Sequence, residues 1–436
     1  MLFYAAVITN RIKYVTDFIE KEILGEPIEL TSDYEKFLKA EEPKINYSGE
    51  RISGNEIWIV PHNLLFKETI DKIEVECFVH DGLIAFFKTG GDYPFDIFAA
   101  TFYLLSRYEE YLPYEEDIYG RYPHNKSIAF QHDFLKLPLI NLWLNEFKKF
   151  LKARFPLVVM TSQRFVFIPT YDIDEAYSYK HKGFLRNVGA IVKSIFRRDF
   201  RKVGNRVDVW TGKQNDPFDS YEWMDNIHKE YNLEPRYFFL VPGKLSKYDR
   251  NILPQKQAVK DLIVAHSKKY SIGVHPSWQS NYDLNLISKE IETIRNITNK
   301  AVFISRQHFI RFTLPQTYRQ LISAGIKQEF SMGYGSINGF RASVASPFHW
   351  FDLEKNEQTS LLVYPFCFMD ANSFFEQKLS PAEAYEEMRY YFNTIKKSGG
   401  CMVTIWHNTF LGTDELFSGW RQAYHDFISY AKPGEE

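Results

Sequence analysis

From about residue 164 onward the chain alternates short apolar, strand-like runs with segments of helical periodicity. No other feature constrains the fold as strongly. The candidate strands are RFVFIPTY, PRYFFLV, SIGV, AVFIS, LLVYPF and CMVTIW. Helical patterns fall between them: SKEIETIRNI carries Ile291 and Ile294 at helical spacing, with Ile287 four positions before the first. Such alternation over about 270 residues predicts an α/β fold with a parallel sheet or barrel and places function at the carboxyl ends of the strands.

Upstream the texture differs. Residues 1–95 read as a small α/β unit. An apolar run from Leu2 to Ile8 precedes a helix pattern at Ile12, Val15, Ile19 and Ile23, and a short strand covers Ile57 to Val60. Val75, Cys77 and Val79 alternate up to Asp81-Gly82, a hairpin turn, before Leu83 to Phe87. Residues 96–160 form a helical bridge, with FDIFAATFYLLSRYEEYL expected to be amphipathic and LINLWLNEFKKFLKARF a second long helix. Residues 161–436 hold the alternating part. No chemical constellation stands out before residue 164.

Composition narrows the classes. A formal net charge of −2 gives no electrostatic reason to expect nucleic acid or acidic membranes as partners. The three cysteines, Cys77, Cys367 and Cys401, are widely spaced and odd in number, against both a disulfide framework and a cysteine metal site. The opening MLFYAAVITNRIKYV lacks a basic start before its apolar run and reads as a buried strand rather than a signal peptide. No uninterrupted apolar stretch approaches the ~20 residues of a membrane helix, so the expected location is cytoplasmic. Aromatics reach 17%; such rings fill cores more often than they floor sugar sites.

Four strand ends deliver chemistry-bearing side chains. FVFIPTYDIDEA runs from an apolar strand into Asp172 and Asp174, two residues apart and hence on one side of an extended chain. Two acids so placed suit a division of labour, one holding a metal and one taking a proton from its water; a solvated loop or helix N-cap is the alternative. In SIGVHPSW, His275 follows a strand between Gly and Pro, a good position for a metal ligand or a structural histidine. AVFISRQHFIRF brings Arg306 and His308 to one side, where arginine can orient a carboxylate. CMVTIWHN ends at His407, placed for a general acid. Each signal is weak alone; their agreement points to one site.

In this order the motifs resemble those of the polysaccharide deacetylases, carbohydrate esterase family 4, whose fold is a distorted (β/α) barrel of NodB type. TYDID resembles the first family motif and VHPSW the second; SRQHF falls where the arginine motif sits, and VTIWH resembles the last. The resemblance spans about residues 164–415 and implies Asp172 as general base, Asp174 and His275 as metal ligands, Arg306 as the arginine that orients Asp172, and His407 as general acid. It also implies an acetylated sugar or glycan as substrate and a divalent metal, zinc first, with cobalt, nickel, manganese or iron as alternatives. The chain departs from the family where a second histidine should stand four positions after His275: that residue is Gln279. A catalytic zinc usually keeps three protein ligands and a water, and His308 is the replacement expected. The whole chain looks like a deacetylase-like subgroup common in Bacteroidetes that carries an uncharacterised N-terminal domain. GFRASVASPFHWFDL, residues 339–353, offers Arg341 for a substrate carboxylate or phosphate and His349 or Trp350 to line the sugar site; a structured loop with Arg341 paired to an acid is the alternative.

Two rivals remain at this level. A haloacid-dehalogenase-type phosphatase also begins from strand-D-x-D, but DIDEA lacks the Gly-Thr that normally follows. A glycan-binding module on the same scaffold, without catalysis, would explain the missing second-motif histidine.

Overall fold

A computed structural model of the chain describes residues 1–161, 164–196 and 198–432. Strands β1 (Leu2–Tyr4), β2 (Glu29–Thr31), β3 (Lys44–Tyr47) and β4 (Ile57–Ile59) pair in parallel in the order β2-β1-β3-β4. The expected first strand stops at Tyr4, and the helix Asn10–Ile23 starts where the Thr9 hydroxyl accepts the Ile12 N–H. That helix buries Ile12, Val15, Ile19 and Ile23, the stripe its sequence spacing announces. Strands β5 (Cys77–His80) and β6 (Leu83–Phe86) form an antiparallel hairpin. Asp81 and Gly82 both take positive φ at the turn, as a two-residue loop that matches strand twist requires.

The helix Ile97–Leu105 corrects one expectation. It is buried at every position rather than amphipathic. Phe98 packs edge-on to Phe3 and Tyr47 beside the small sheet, while Phe102 meets Phe351 of the large one. A helix covered on all sides has no face to leave polar. One continuous apolar core runs from Phe3 to Ala431 through this helix.

The large sheet contains β7 (Phe165–Ile173), β8 (Arg236–Leu240), β9 (Ser271–His275), β10 (Ile304–Ser305), β11 (Gln328–Glu329), β12 (Phe348–Asp352), β13 (Glu357–Val363), β14 (Phe368–Met369) and β15 (Gly400–His407). Their order is β12-β13-β11-β10-β9-β8-β7-β15-β14, and all neighbours run parallel except β12 and β13. Among the described residues, pairing runs in one row from β12 to β14. The parallel sheet expected from the alternation is therefore present. The segment 339–353, which offered candidates for a sugar site, ends in β12, where Trp350 packs edge-on to Tyr318 and Phe351 packs on Tyr14 and Phe102. No helix among the described residues is long and apolar enough to cross a membrane.

A buried ion cluster ties the first 156 residues to the rest. Glu110 accepts 2.7 Å from Arg107 Nε and 2.8 and 2.5 Å from Arg341 Nε and Nη2, all three side chains being 1% exposed. Arg107 also pairs with Glu109 at 2.7 Å, so removing the shared acid leaves Arg341 without its carboxylate and Arg107 with Glu109 alone, away from water. Glu110→Ala is expected to cost about 3–5 kcal/mol of folding stability, read as a lower midpoint in denaturant unfolding. An unchanged midpoint would show that the cluster is not needed for stability.

Candidate metal centre and active site

Parallel pairing sets the level of each strand end. His407 lies opposite Asp172 on neighbouring strands, His275 lies opposite Leu240, and Val274 opposite Ser305. The ends of β7, β9, β10 and β15 therefore open on one edge of the sheet, where Asp172, Asp174, His275, Arg306, His308 and His407 come together. The candidate residues Arg341, His349 and Trp350 do not join them. Arg341 is held by Glu110 and stacks 4.1 Å over Phe312. Trp350 is buried in β12 six strands from β7, and the His349 carbonyl accepts the Tyr14 hydroxyl. None of the three lines the cleft.

Asp174 is the hub. The Nε2 atoms of His275 and His308 lie 3.1 and 3.3 Å from its Oδ1 and Oδ2. One ligand atom from each of Asp174, His275 and His308 can be chosen so that all lie within 4.8 Å of one another, a spacing able to hold a metal ion. The other ring nitrogens explain the orientation. His275 Nδ1 is 2.5 Å from the Arg306 carbonyl oxygen, which can only accept, so the proton is assigned to Nδ1 and Nε2 is left as a lone pair facing Asp174. His308 Nδ1 sits 3.1 Å from Asp249 Oδ1. This is the carboxylate– or carbonyl–histidine arrangement that fixes metal-ligating imidazoles. Asp174 Oδ1 is buried and has no hydrogen-bond donor. An unpartnered carboxylate oxygen beside two aimed imidazoles fits a hard or borderline divalent cation.

The electrostatics agree. Burial alone would lower the His308 imidazole, but the Asp174 and Asp249 carboxylates outweigh it and raise it to about 9. Burial would raise the Asp174 carboxyl, yet His308 and His275 hold it well below the usual range. The pocket thus favours positive charge between these groups, whether proton or metal.

Around this hub stand two further pairs. Arg306 Nη1 donates 2.9 Å to Asp172 Oδ1, and both side chains are buried. Arg306 Nε donates to the Phe330 carbonyl, and its guanidinium lies 4.4 Å over Phe238 of β8. His407 Nδ1 is 2.6 Å from Asp370 Oδ1, and its Nε2 is 3.5 Å from Asp174 Oδ2. Burial would lower this imidazole too; Asp370 first and Asp174 next raise it to about 10.

Two contributors, Asp370 and Asp249, went unmarked in the sequence. Asp370 follows β14 directly, and FCFMD carries the same strand-then-acid pattern as the first motif. Asp249 lies in the loop after β8, where no strand end or spacing marks it; it accepts from His308, the Trp278 N–H and the Ser246 hydroxyl. Gln279 donates to this same acid at 3.3 Å instead of supplying a ligand. The cleft above the hub has a volume of about 700 Å³ and aromatic or apolar walls that include Tyr119, Phe218, Phe309, Phe375, Phe410 and Leu416.

Comparison with known proteins adds the following. Residues 1–156 match a family described as "Family of unknown function (DUF7033)". No curated protein matches the sequence. Among solved structures, the chain is similar to a protein described as a polysaccharide deacetylase from Mycobacterium smegmatis, at 15% identity and TM-score 0.40 over 63% of this chain and 85% of that one. It is also similar to a polysaccharide deacetylase from Bacillus cereus, at 10% identity and TM-score 0.31 over 61% and 87%. A de-N-acetylase from Aggregatibacter actinomycetemcomitans matches at 14% identity and TM-score 0.22 over 38% and 87%. Overlaps this loose do not transfer an activity.

Because Asp249 holds the His308 ring from behind, Asp249→Asn is expected to weaken divalent-ion binding by about 10–100-fold, measured by titration calorimetry. Unaltered affinity would remove Asp249 from the site's support.

Proposed function

We propose that this chain is a metal-dependent hydrolase that removes an acetyl group from an N-acetylated or O-acetylated sugar or glycan. The observation that carries the reading is the aim of the His275 and His308 Nε2 atoms at Asp174, with each Nδ1 anchored from behind. Asp174, His275 and His308 would hold the ion, zinc first and cobalt, nickel, manganese or iron as alternatives, so His308 makes up the three-ligand set that Gln279 leaves incomplete. A divalent cation there supplies Lewis acidity and makes water a stronger acid.

The remaining steps belong to the chain's own residues. Asp172 accepts the proton of the attacking water, and Arg306 holds its carboxylate in position. His407, protonated at neutral pH and held by Asp370, donates to the departing amine or alcohol. The aromatic walls offer faces on which a sugar ring can rest. The fold proposed with this activity is a distorted (β/α) barrel of NodB type; the Cys401 N–H at the start of β15 donates to the Ala345 carbonyl three residues before β12, which supports an approach of the two ends of the row.

Metal analysis of wild type beside His308→Ala is the deciding experiment, followed by acetate-release assays of wild type and Asp172→Asn on acetylated amino sugars. Wild type is expected to hold about one divalent ion per chain and His308→Ala to lose it. Asp172→Asn should keep the ion and lose turnover by at least about 100-fold. If wild type takes up no ion even when supplied, the hydrolase reading falls and a non-catalytic glycan-binding module replaces it. Magnesium-dependent phosphatase activity would instead favour the haloacid-dehalogenase type.

A further inference from the structure

The helices Phe184–Phe196 and Phe200–Trp210 have no role in the site just described. They fold back on each other around Arg198, which takes a positive φ, and Asp199, whose side chain accepts the Lys202 N–H. Neither helix contributes a residue to the main core among the described residues, and each packs chiefly on the other. Val209 is buried, but apolar side chains near the turn face outward: Phe196 is 86% exposed, Phe200 66%, Ile195 47% and Val192 45%.

The charge around them is one-sided. Residues 180–213 carry ten Lys and Arg against two Asp, in a chain whose formal net charge is −2. The balance over the whole chain conceals this cluster. Lys193, Arg198, Arg201 and Lys202 are all exposed beside the exposed phenylalanines.

An amphipathic helical element with bulky apolar residues flanked by Lys and Arg, but too short to span, has the makeup of a segment that lies in a bilayer interface. Basic charge alone would suit any polyanion. The two exposed phenylalanines at the turn argue for a partner with an apolar interior beneath an anionic surface. We propose that this helical hairpin docks on an anionic lipid bilayer, with Phe196 and Phe200 seated below the headgroups and the lysines and arginines among the phosphates. The hairpin also adjoins the cleft. Arg201 pairs with Glu415, next to the 61%-exposed Leu416 of the cleft wall, and Lys182 pairs at 2.8 Å with Glu175, which follows the hub residue Asp174 and lines the cleft. Joined to the deacetylase reading, on which this clause alone rests, docking would turn the cleft mouth toward a sugar carried on a lipid.

Flotation with vesicles of phosphatidylcholine, with and without phosphatidylglycerol, tests the proposal. Wild type is expected to float with the anionic vesicles, to remain behind with the neutral ones, and to be released by salt. Phe196→Ser/Phe200→Ser and Lys193→Glu/Arg198→Glu should each lower partitioning by about tenfold or more, with thermal unfolding unchanged because all four side chains are exposed. Failure of wild type to float, or equal flotation of both double variants, would overturn the proposal. So would wild-type self-association in light scattering that Phe196→Ser/Phe200→Ser abolishes, which would make a second copy the occupant. Flotation needs neither metal nor turnover, so its failure and that of the deacetylase reading are separately visible.

Discussion

Three imidazoles converge on one carboxylate: the Nε2 atoms of His275, His308 and His407 stand 3.1, 3.3 and 3.5 Å from the oxygens of Asp174. A carboxylate with one oxygen buried is costly unless positive charge stands near it. The arrangement is sustained from behind, by the Arg306 carbonyl, Asp249 and Asp370. The Arg306 carbonyl and Asp370 belong to the ends of β10 and β14, and Asp249 to the loop after β8. The geometry of the hub is thus a property of the whole parallel sheet rather than of any single motif.

That property reaches into the first 156 residues. Phe309, next to His308, adopts φ 60 and Ile310 φ 53, conformations that cost a bulky residue about 1–3 kcal/mol each. Arg121 meets this strained turn, donating 3.0 Å to the Phe309 carbonyl and 3.0 Å to that of Gly335, while Asp117 holds its Nε. A Cβ on Gly335 would stand 2.0 Å from Arg121 Nη1, so only glycine leaves room for the guanidinium. Tyr119, two residues before Arg121, lines the cleft and lies 5.5 Å from the Phe309 ring. The N-terminal segment therefore supplies both part of the cleft wall and a clamp on the turn that carries His308.

What could be read in advance followed from period and position. A strand buried in a parallel sheet is a short apolar run, and its carboxyl end is where a polar residue can emerge; this marks Asp172, Asp174, His275, Arg306, His308 and His407 in the sequence. Two-residue strands such as β10, β11 and β14 leave little periodicity to read, and nothing marked FHWFD as a strand, because its polar residues sit in a largely buried run. Arg341 stood open between a ligand for an external anion and a partner of an acid, because nothing local showed that the acid it pairs with, Glu110, lies 231 positions away. Asp249 was invisible for a related reason: it acts through three-dimensional proximity to His308, 59 residues on, from a loop of ordinary polar composition.

On the proposed reading, Gln279 stands where a second histidine would be expected, and the donor it lacks comes from elsewhere in the chain. A histidine four positions after His275 would have drawn two ligands from one loop. Here that loop position donates instead to Asp249, the acid that also receives His308 Nδ1. The His308 imidazole comes from the far side, where the chain leaves β10, and Asp249 contacts both it and Gln279. A carboxylate already held by the Trp278 N–H and the Ser246 hydroxyl is a rigid acceptor, and an imidazole brought against it is pinned in tautomer and direction together. A catalytic cation usually takes three protein donors with their rings fixed, and Asp174, His275 and His308 are spaced so that they could offer them.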